Sequence, residues 1–399
     1  MHFSLRSKVS IVLPFITLLG LLGALMMSGI FRAPAIHAAG DSHSGGFYRQ
    51  TNLVSDISGM AKFTDPNLKN PWGLSHSPTS PWWVSDNGTG LATVYNGDGT
   101  PFPVGSPLVV TIPPPAGSPA GTTAAPTGNV FNSVNSTNPN DFVVTENGKS
   151  GPSIFMFATE DGTISGWNPK VDPTNAILAV DRSAAVDPQG DVGAVYKGLA
   201  TGSNDKGDFI YATNFRFGQV EQFDANFTLV RSFSDPDLFK DCSLTTQCFA
   251  PFGIQNIGGL LYVTFALQNA AKHDDVASPG NGFVDVFDTN GNLIQRLASH
   301  GTLNSPWGLT LAPEGFGRFG KDLLVGNFGD GRINAFEPDT GAFRGQLKDQ
   351  RGNPITIDDL WALGFGNGGL AGPTDTLFFT AGINDEADGL FGTITKGEG

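Results

Sequence analysis

The chain has 399 residues, 23 of them basic and 37 acidic, for a formal charge of -14. An acidic body of this kind is repelled by phosphate backbones and anionic lipid, which excludes nucleic-acid binding and peripheral membrane binding. With 53 glycines, 27 prolines and 31 phenylalanines but only 15% charged residues, the composition is that of a loop-rich protein with a substantial core, not a disordered one.

Arg6 and Lys8 precede an uncharged apolar stretch from Val9 to Phe31, and small residues follow in Ala33-Pro34-Ala35 and Ala38-Ala39. Residues 1–39 therefore read as a secretory signal, cleaved between Ala35 and Ala39. The alternative is an uncleaved anchor, because Ile11 to Ile30 is long enough to span a bilayer. Pro14, Gly20 and Gly23 interrupt that run and favour cleavage. The expected location is secreted, extracellular or in the cell envelope, with no membrane contact beyond such an anchor. In an exported chain the two cysteines, Cys242 and Cys248, read as a disulfide, since no third or fourth Cys is present to complete a soft metal site.

After a short leader at residues 40–46, no segment keeps a helical period, and short alternating runs bounded by Gly, Asn, Asp and Pro recur. A strand-like run, Phe47 to Val54, comes first. One motif then returns in Pro71-Trp72-Gly73-Leu74, Pro126-Thr127-Gly128, Tyr196-Lys197-Gly198-Leu199, Pro251-Phe252-Gly253-Ile254, Pro306-Trp307-Gly308-Leu309 and Trp361-Ala362-Leu363. The spacing of Gly73, Gly128, Gly198, Gly253, Gly308 and Ala362 is 55, 70, 55, 55 and 54 residues, so six units follow one another and one carries an insertion.

Within each unit a second run ends in a small polar residue: Trp82 to Ser85, Phe142 to Thr145, Phe209 to Thr213, Leu261 to Thr264, Leu323 to Gly326 and Leu377 to Thr380. Third runs are expected at Ala92 to Tyr95, Ile154 to Phe157, Gln219 to Phe223, Phe283 to Phe287, Ile333 to Phe336 and Phe391 to Ile394. Turns such as Asn290-Gly291 lead to a fourth strand in five units. Four antiparallel strands repeated six times predict an all-β fold, a six-bladed β-propeller spanning residues 47–395 as one domain, with 396–399 as a tail. The sixth unit stops after its third strand, so the N-terminal strand is expected to close the last blade and remove the open edge.

The pattern Pro-x-Gly-[Leu/Ile], an apolar strand, a Gly/Asn loop and a strand ending in Phe-[Asp/Glu] resembles the NHL-like propeller repeat and the wider superfamily of gluconolactonase-like hydrolases. Ser305 to Gly341 is its cleanest copy. The mature chain as a whole looks like an uncharacterised family of secreted bacterial propellers. The resemblance implies the fold; propellers host hydrolases, lyases, lectins and binding platforms, so it leaves the chemistry open.

Ligand sites in a propeller gather where second-to-third-strand and blade-to-blade connections surround the channel mouth. The expected second-to-third connections offer Asp86 and Asn87, Glu146 and Asn147, Asn214, the long segment Gln268 to Gly280 with His273, Asp274 and Asp275, Asn327, and Asn384, Asp385 and Glu386. Carboxylate and amide oxygens of this kind suit Ca²⁺, with Asp86, Glu146, Asn214, Asn327 and Asp385 as the expected ligands. The same residues also suit tight turns whether or not anything binds. His273 beside two acids is a candidate general base, and Glu146 and Asp385 are further catalytic candidates. His43, His76 and His300 form no cluster, so a Zn site is not expected, and no G-x-S-x-G nucleophile elbow occurs. Trp72, Phe252, Trp307 and Trp361 share one repeat position, which suits packing between blades or stacking of a flat ligand. Asp98, Asp161, Asp288 and Asp339 are placed in turns on the far face. The reading is a monomeric, non-enzymatic platform for a small molecule, glycan or protein, with a structural Ca²⁺. The alternatives are a Ca²⁺-dependent hydrolase of lactones or esters and a structural protein of the cell envelope.

Overall fold

The recurring glycine marks where neighbouring innermost strands nearly touch. A Cβ on Gly253 would lie 2.0 Å from the Trp307 carbonyl of the next unit, and one on Gly73 would lie 2.4 Å from that of Thr127. Only a residue without a side chain allows such an approach. In the computed structural model, which describes residues 46–134, 137–239 and 248–397, these strands are the inner strands of six antiparallel blades.

The first blade comprises Pro71–Ser75, Trp82–Asp86, Leu91–Tyr95 and Val109–Thr111. The third comprises Tyr196–Asn204, Gly207–Asn214, Gln219–Asp224 and Leu229–Phe233, and the fourth Phe249–Ile257, Leu260–Leu267, Phe283–Phe287 and Leu293–Ser299. Pro306–Leu311, Leu323–Asn327, Ile333–Phe336 and Phe343–Gln346 form the fifth. In the sixth, Leu360–Phe365, Leu377–Ala381 and Leu390–Lys396 are completed by Tyr48–Ser55, which runs antiparallel to Leu390–Lys396 with Thr51 opposite Thr393. The N-terminal strand thus closes the ring as expected, and Phe63–Thr64 adds a short parallel edge. The described helical segments are brief, as at Pro236–Phe239.

At the motif the inner strand bulges: register shifts lie between Tyr196 and Leu199, Pro251 and Ile254, and Leu360 and Leu363. A bulge leaves backbone groups out of the ladder. The small polar residue of the second strand receives them. The Gly198 N–H donates to Thr213 Oγ1 at 2.7 Å, and that hydroxyl donates to the Phe252 carbonyl of the next blade at 2.7 Å. Thr380 does the same between Ala362 and Trp72, at 3.1 and 2.6 Å, and so latches the last blade to the first. Apolar packing fills the space between sheets, as where Met156 and Ile164 meet Tyr196, Ile210 and Phe223.

The second blade departs from the expected strand assignment. Its strands are Pro126–Phe131, Phe155–Thr159, Thr163–Trp167 and Ile177–Asp181, with Thr159 opposite Pro126. Phe142 to Thr145 is not its second strand. Val143–Glu146 and Lys149–Pro152 pair in a separate hairpin, turned by Asn147 and Gly148 at φ 49° and 75°. This hairpin is the insertion behind the 70-residue spacing, and it lies between the first and second strands. The error arose because an alternating strand in an insertion carries the same period as a blade strand.

The expected signal or anchor, residues 1–39, lies outside the described residues, as does Cys242 of the expected disulfide. Among the described residues no helix is long and apolar enough to cross a membrane.

Candidate functional site

Each motif residue that precedes the close-packed glycine, or Ala362 in the sixth blade, belongs to an innermost strand. Trp72, Phe252, Trp307 and Trp361 are buried in one cluster there. Trp72 and Trp361 stack at 3.4 Å between centroids, Trp307 stands edge-on to both at 6.2 and 5.8 Å, and Phe328 stacks on Trp361 at 4.2 Å. The shared repeat position therefore serves packing on the axis.

In the third blade the same position holds Lys197, whose side chain is 2% exposed. Its ammonium lies 5.0 Å from the Trp72 ring and 5.8 Å from the Phe215 ring. It donates to Glu160 Oε1, and Asp274 Oδ1 is 3.7 Å away. A buried cation is tolerated when carboxylates and aromatic faces replace its water.

Around Lys197 the loops build a charged layer. Glu160 Oε2 accepts from Asn87 Nδ2 at 3.0 Å. His273 Nδ1 lies 2.7 Å from Asp274 Oδ1 and 4.0 Å from Glu160 Oε1. The His273 hydrogen bond, reinforced by the Lys197 charge, holds the Asp274 carboxyl down at about 2. Asn70 ties the layer to the tryptophans: its Nδ2 donates to Glu386 Oε2 at 2.6 Å, and its Oδ1 accepts from Trp361 Nε1 at 3.1 Å. Burial, opposed by that Asn70 bond and aided by the Glu160 charge, pushes the Glu386 carboxyl up to about 7. Burial and the Asp358 charge raise Asp359 to about 6. Asp275 is likewise raised by burial.

Of the residues expected from sequence, the structure brings Asn87, His273, Asp274 and Glu386 together. Asp275 lies beside them, within the electrostatic reach of Lys197 and Asp274. Glu146 and Asn147 are not part of this group. They form the tip of the inserted hairpin, which leaves the second blade at the end of the sheet opposite to the second-to-third connections. The true connection in that blade is Thr159 to Gly162, so Glu160 occupies the place given to Glu146, and Asp161 belongs to the mouth and not to the far face. There the Asp161 carboxylate accepts from the Ala125 N–H at 2.8 Å.

Most of the remaining candidates are already bonded within the chain, although Asp86 Oδ1 and Asn327 Oδ1 are buried without a partner. Asp86 is fully buried, accepts from Thr93 Oγ1 at 2.8 Å and is raised well above the usual carboxylate range by that burial. Asn214 accepts from the N–H groups of Val195 and Phe217 and donates to Glu221. Asn327 donates to Thr302 and Asp330, Asn384 donates to Asp388, and Asp385 is exposed. Glu146 stands apart from the other expected Ca²⁺ ligands, and among the described residues none of the five belongs to a group of three His, Cys, Asp or Glu ligand atoms. One trio, Glu160, His273 and Asp274, has ligand atoms within 4.8 Å of one another. Lys197 already supplies the positive charge there, so the residues do not fit a Ca²⁺ site.

Glu160 and Lys197 were missed as functional residues. Lys197 had a signal, because it is the charged residue in a repeat column otherwise filled by Trp, Phe or Thr. Glu160 had one only through the 70-residue spacing, which gave the size of the insertion but not its position.

No family model matches the chain. "Uncharacterized protein R648" of Acanthamoeba polyphaga mimivirus is 32% identical over 368 residues, covering 91% of this chain and 84% of that protein. "Uncharacterized protein L690" of the same virus is 30% identical over 369 residues, covering 91% and 90%. The chain belongs to the family of these viral proteins. The sequence resemblance had pointed to secreted bacterial propellers; these relatives are viral. Among solved structures, streptogramin B lyase has a TM-score of 0.48 at 12% identity, over 88% of this chain and 98% of that one. A glucose dehydrogenase has a TM-score of 0.45 at 13% identity, over 88% and 100%. Neither similarity bears on activity.

Proposed function

We propose that this propeller is a binding platform whose acidic axial mouth receives a cationic group, an amine or guanidinium of a ligand or protein. The supporting observation is the layer above the tryptophans, where Glu160, Asp274, Asp275 and Glu386 gather around Lys197, with the His273 ring against Asp274 and Arg216 within electrostatic reach of it. The excess of carboxyls, two of them shifted toward the neutral form by crowding and burial, favours an added positive charge. Such a group would donate hydrogen bonds to carboxylates that Lys197 and Asn87 only partly engage.

The test is calorimetry with spermidine and a tetra-arginine peptide at low and moderate salt. Binding is expected to weaken with salt, and to weaken further in Glu160→Gln and Glu386→Gln, while Asp98→Asn at a distant turn leaves it unchanged. Equal loss in all three variants would reduce the effect to diffuse attraction by an acidic surface.

A second reading, hydrolysis of an ester or lactone, is favoured by one contact. His273 is oriented by Asp274 at 2.7 Å, the arrangement of a general base. A panel of esters and lactones tested against the intact protein and His273→Ala decides it. Turnover lost in the variant supports the enzyme, and absence of turnover removes it. Export through the expected signal would place either activity outside the cell or in the envelope.

A further inference from the structure

The six inner strands run outward from the tryptophan layer to the opposite face. Their exit ends, among them Leu74–His76, Asn129–Phe131 and Leu363–Phe365, surround a cavity of about 390 Å³. A smaller space of about 30 Å³, lined by Asn129, Gln255 and Trp307 among others, lies nearer the tryptophans. The larger cavity falls within the range of small-molecule sites, on the axis where several blades can contribute to one ligand.

Its lining differs in chemistry from the rest of the protein. In a chain of charge -14, no Asp, Glu, Lys or Arg is among the lining residues. Polar groups come from Ser75, His76, Asn129, Thr201, Gln255 and Asn256 among others, and flat or apolar walls from Trp82, Phe131, Leu363 and Phe365; both His76 ring nitrogens are engaged by the Ser77 and Phe365 carbonyls.

Two of the polar groups point to a ligand. Asn129 is 5% exposed, and its Nδ2 is engaged by the Trp83 carbonyl at 3.3 Å and Ser85 Oγ at 2.9 Å, which fixes the amide. Its Oδ1 is buried and has no hydrogen-bond partner, and neither has the Ser75 hydroxyl. Buried acceptors are ordinarily satisfied, and both unpartnered groups belong to residues that line the cavity, where a small shift of the lining would let an entering donor reach them. Asn256, by contrast, is held by Thr201 O at 2.8 Å and the Gly259 N–H at 3.0 Å and forms a fixed wall.

We propose that this cavity is a binding site for a neutral carbohydrate of one or two rings, whose hydroxyls meet Asn129 Oδ1, Ser75 Oγ and the Gln255 amide while a C–H face rests on Phe131, Phe365 or Leu363. Amides and hydroxyls match a ring of alternating donors and acceptors, apolar walls match its C–H faces, and a lining without carboxylates, lysines or arginines gives charged sugars no partner of opposite charge. This site is separate from the acidic mouth, since the tryptophan cluster lies between them.

The experiment is calorimetry and thermal shift on the full chain with glucose, galactose, mannose, xylose, N-acetylglucosamine and their β-linked disaccharides, beside glucuronate and glucosamine. Saturable binding of at least one neutral sugar is expected, with the charged forms weaker by about tenfold or more. Gln255→Leu is expected to weaken binding by about tenfold, the scale of one lost neutral hydrogen bond. Asn129→Leu should abolish it, and Thr310→Val provides a second exposed-wall variant if Asn129→Leu fails to fold. Glu160→Gln should leave sugar binding intact, which separates this site from the cationic one. Absence of binding by every neutral sugar up to tens of millimolar overturns the proposal, as does binding that survives Gln255→Leu and Thr310→Val unchanged.

Discussion

The ammonium of Lys197 lies 5.0 Å from the ring of Trp72, a residue from the same repeat position two blades earlier. One column of the repeat thus supplies both the aromatic packing on the axis and a buried cation above it. Its anionic partner, Glu160, is 13% exposed. Removing the cation from such a pair strands a carboxylate. Lys197→Met is therefore expected to cost about 3–5 kcal/mol, the range for breaking a buried ion pair. Adding Glu160→Gln should recover much of the loss, and urea unfolding of the four members of the cycle measures the coupling.

Glu386, raised to about 7, and Asp359, raised to about 6, hold protons in the folded state that their unfolded counterparts release near their ordinary values. Their contribution to stability is fully present below about pH 4 and is lost as pH rises through 6 and 7. Glu386→Gln should flatten the fall in melting temperature between pH 4.5 and 7. A slope equal to that of the unmodified protein would show that Glu386 does not titrate in this window.

Asp285 in the fourth blade is fully buried. Burial first and the neighbouring Asp235 second push its carboxyl up to about 8, while Arg296 pairs with both acids. The group is neutral in the folded state at pH 6 and is forced to ionise above pH 8. Because the unfolded carboxyl ionises near its ordinary value, Asp285→Asn should match the unmodified protein near pH 4 and become progressively the more stable of the two as pH rises to 8, as read by chemical denaturation at both values.

Gly253→Ala places a methyl group 2.0 Å from the Trp307 carbonyl oxygen, which belongs to backbone and cannot swing aside. A loss of at least about 3 kcal/mol is expected, the upper part of the range for overpacking. Gly46→Ala, with nothing within 4 Å, should melt unchanged.

Deleting residues 47–55 removes the strand that pairs with Leu390–Lys396. An exposed strand edge templates association between chains. The truncated protein should aggregate or lose its cooperative transition, measured by light scattering during a thermal scan; cooperative melting without scattering would show that the ring does not depend on this closure.

The six blades were legible because their signals are local. A glycine at five of the six close approaches of inner strands, a hydroxyl that receives the bulged backbone in several units and a Gly or Asn turn after the third strand are each favoured by geometry within one unit, so they recur with it. The closing strand was legible by counting: Phe47 to Val54 had no unit and the last unit lacked a strand.

The insertion in the second unit was legible only in size. Val143–Glu146 and Lys149–Pro152 have the alternation and the Asn-Gly turn of any hairpin, and only pairing decides that Phe155–Thr159, not Val143–Glu146, lies beside the inner strand. That shift moved Glu146 away from the mouth and brought Glu160 into it. The chemistry of the mouth was decided by the tertiary structure for the same reason. Glu160, Lys197, His273 and Glu386 come from four different blades, and the shifts of Asp274 and Glu386 arise from burial and from charges brought within a few ångströms by ring closure. A sequence period records what each blade repeats; charges that meet across the axis are what the blades do not repeat.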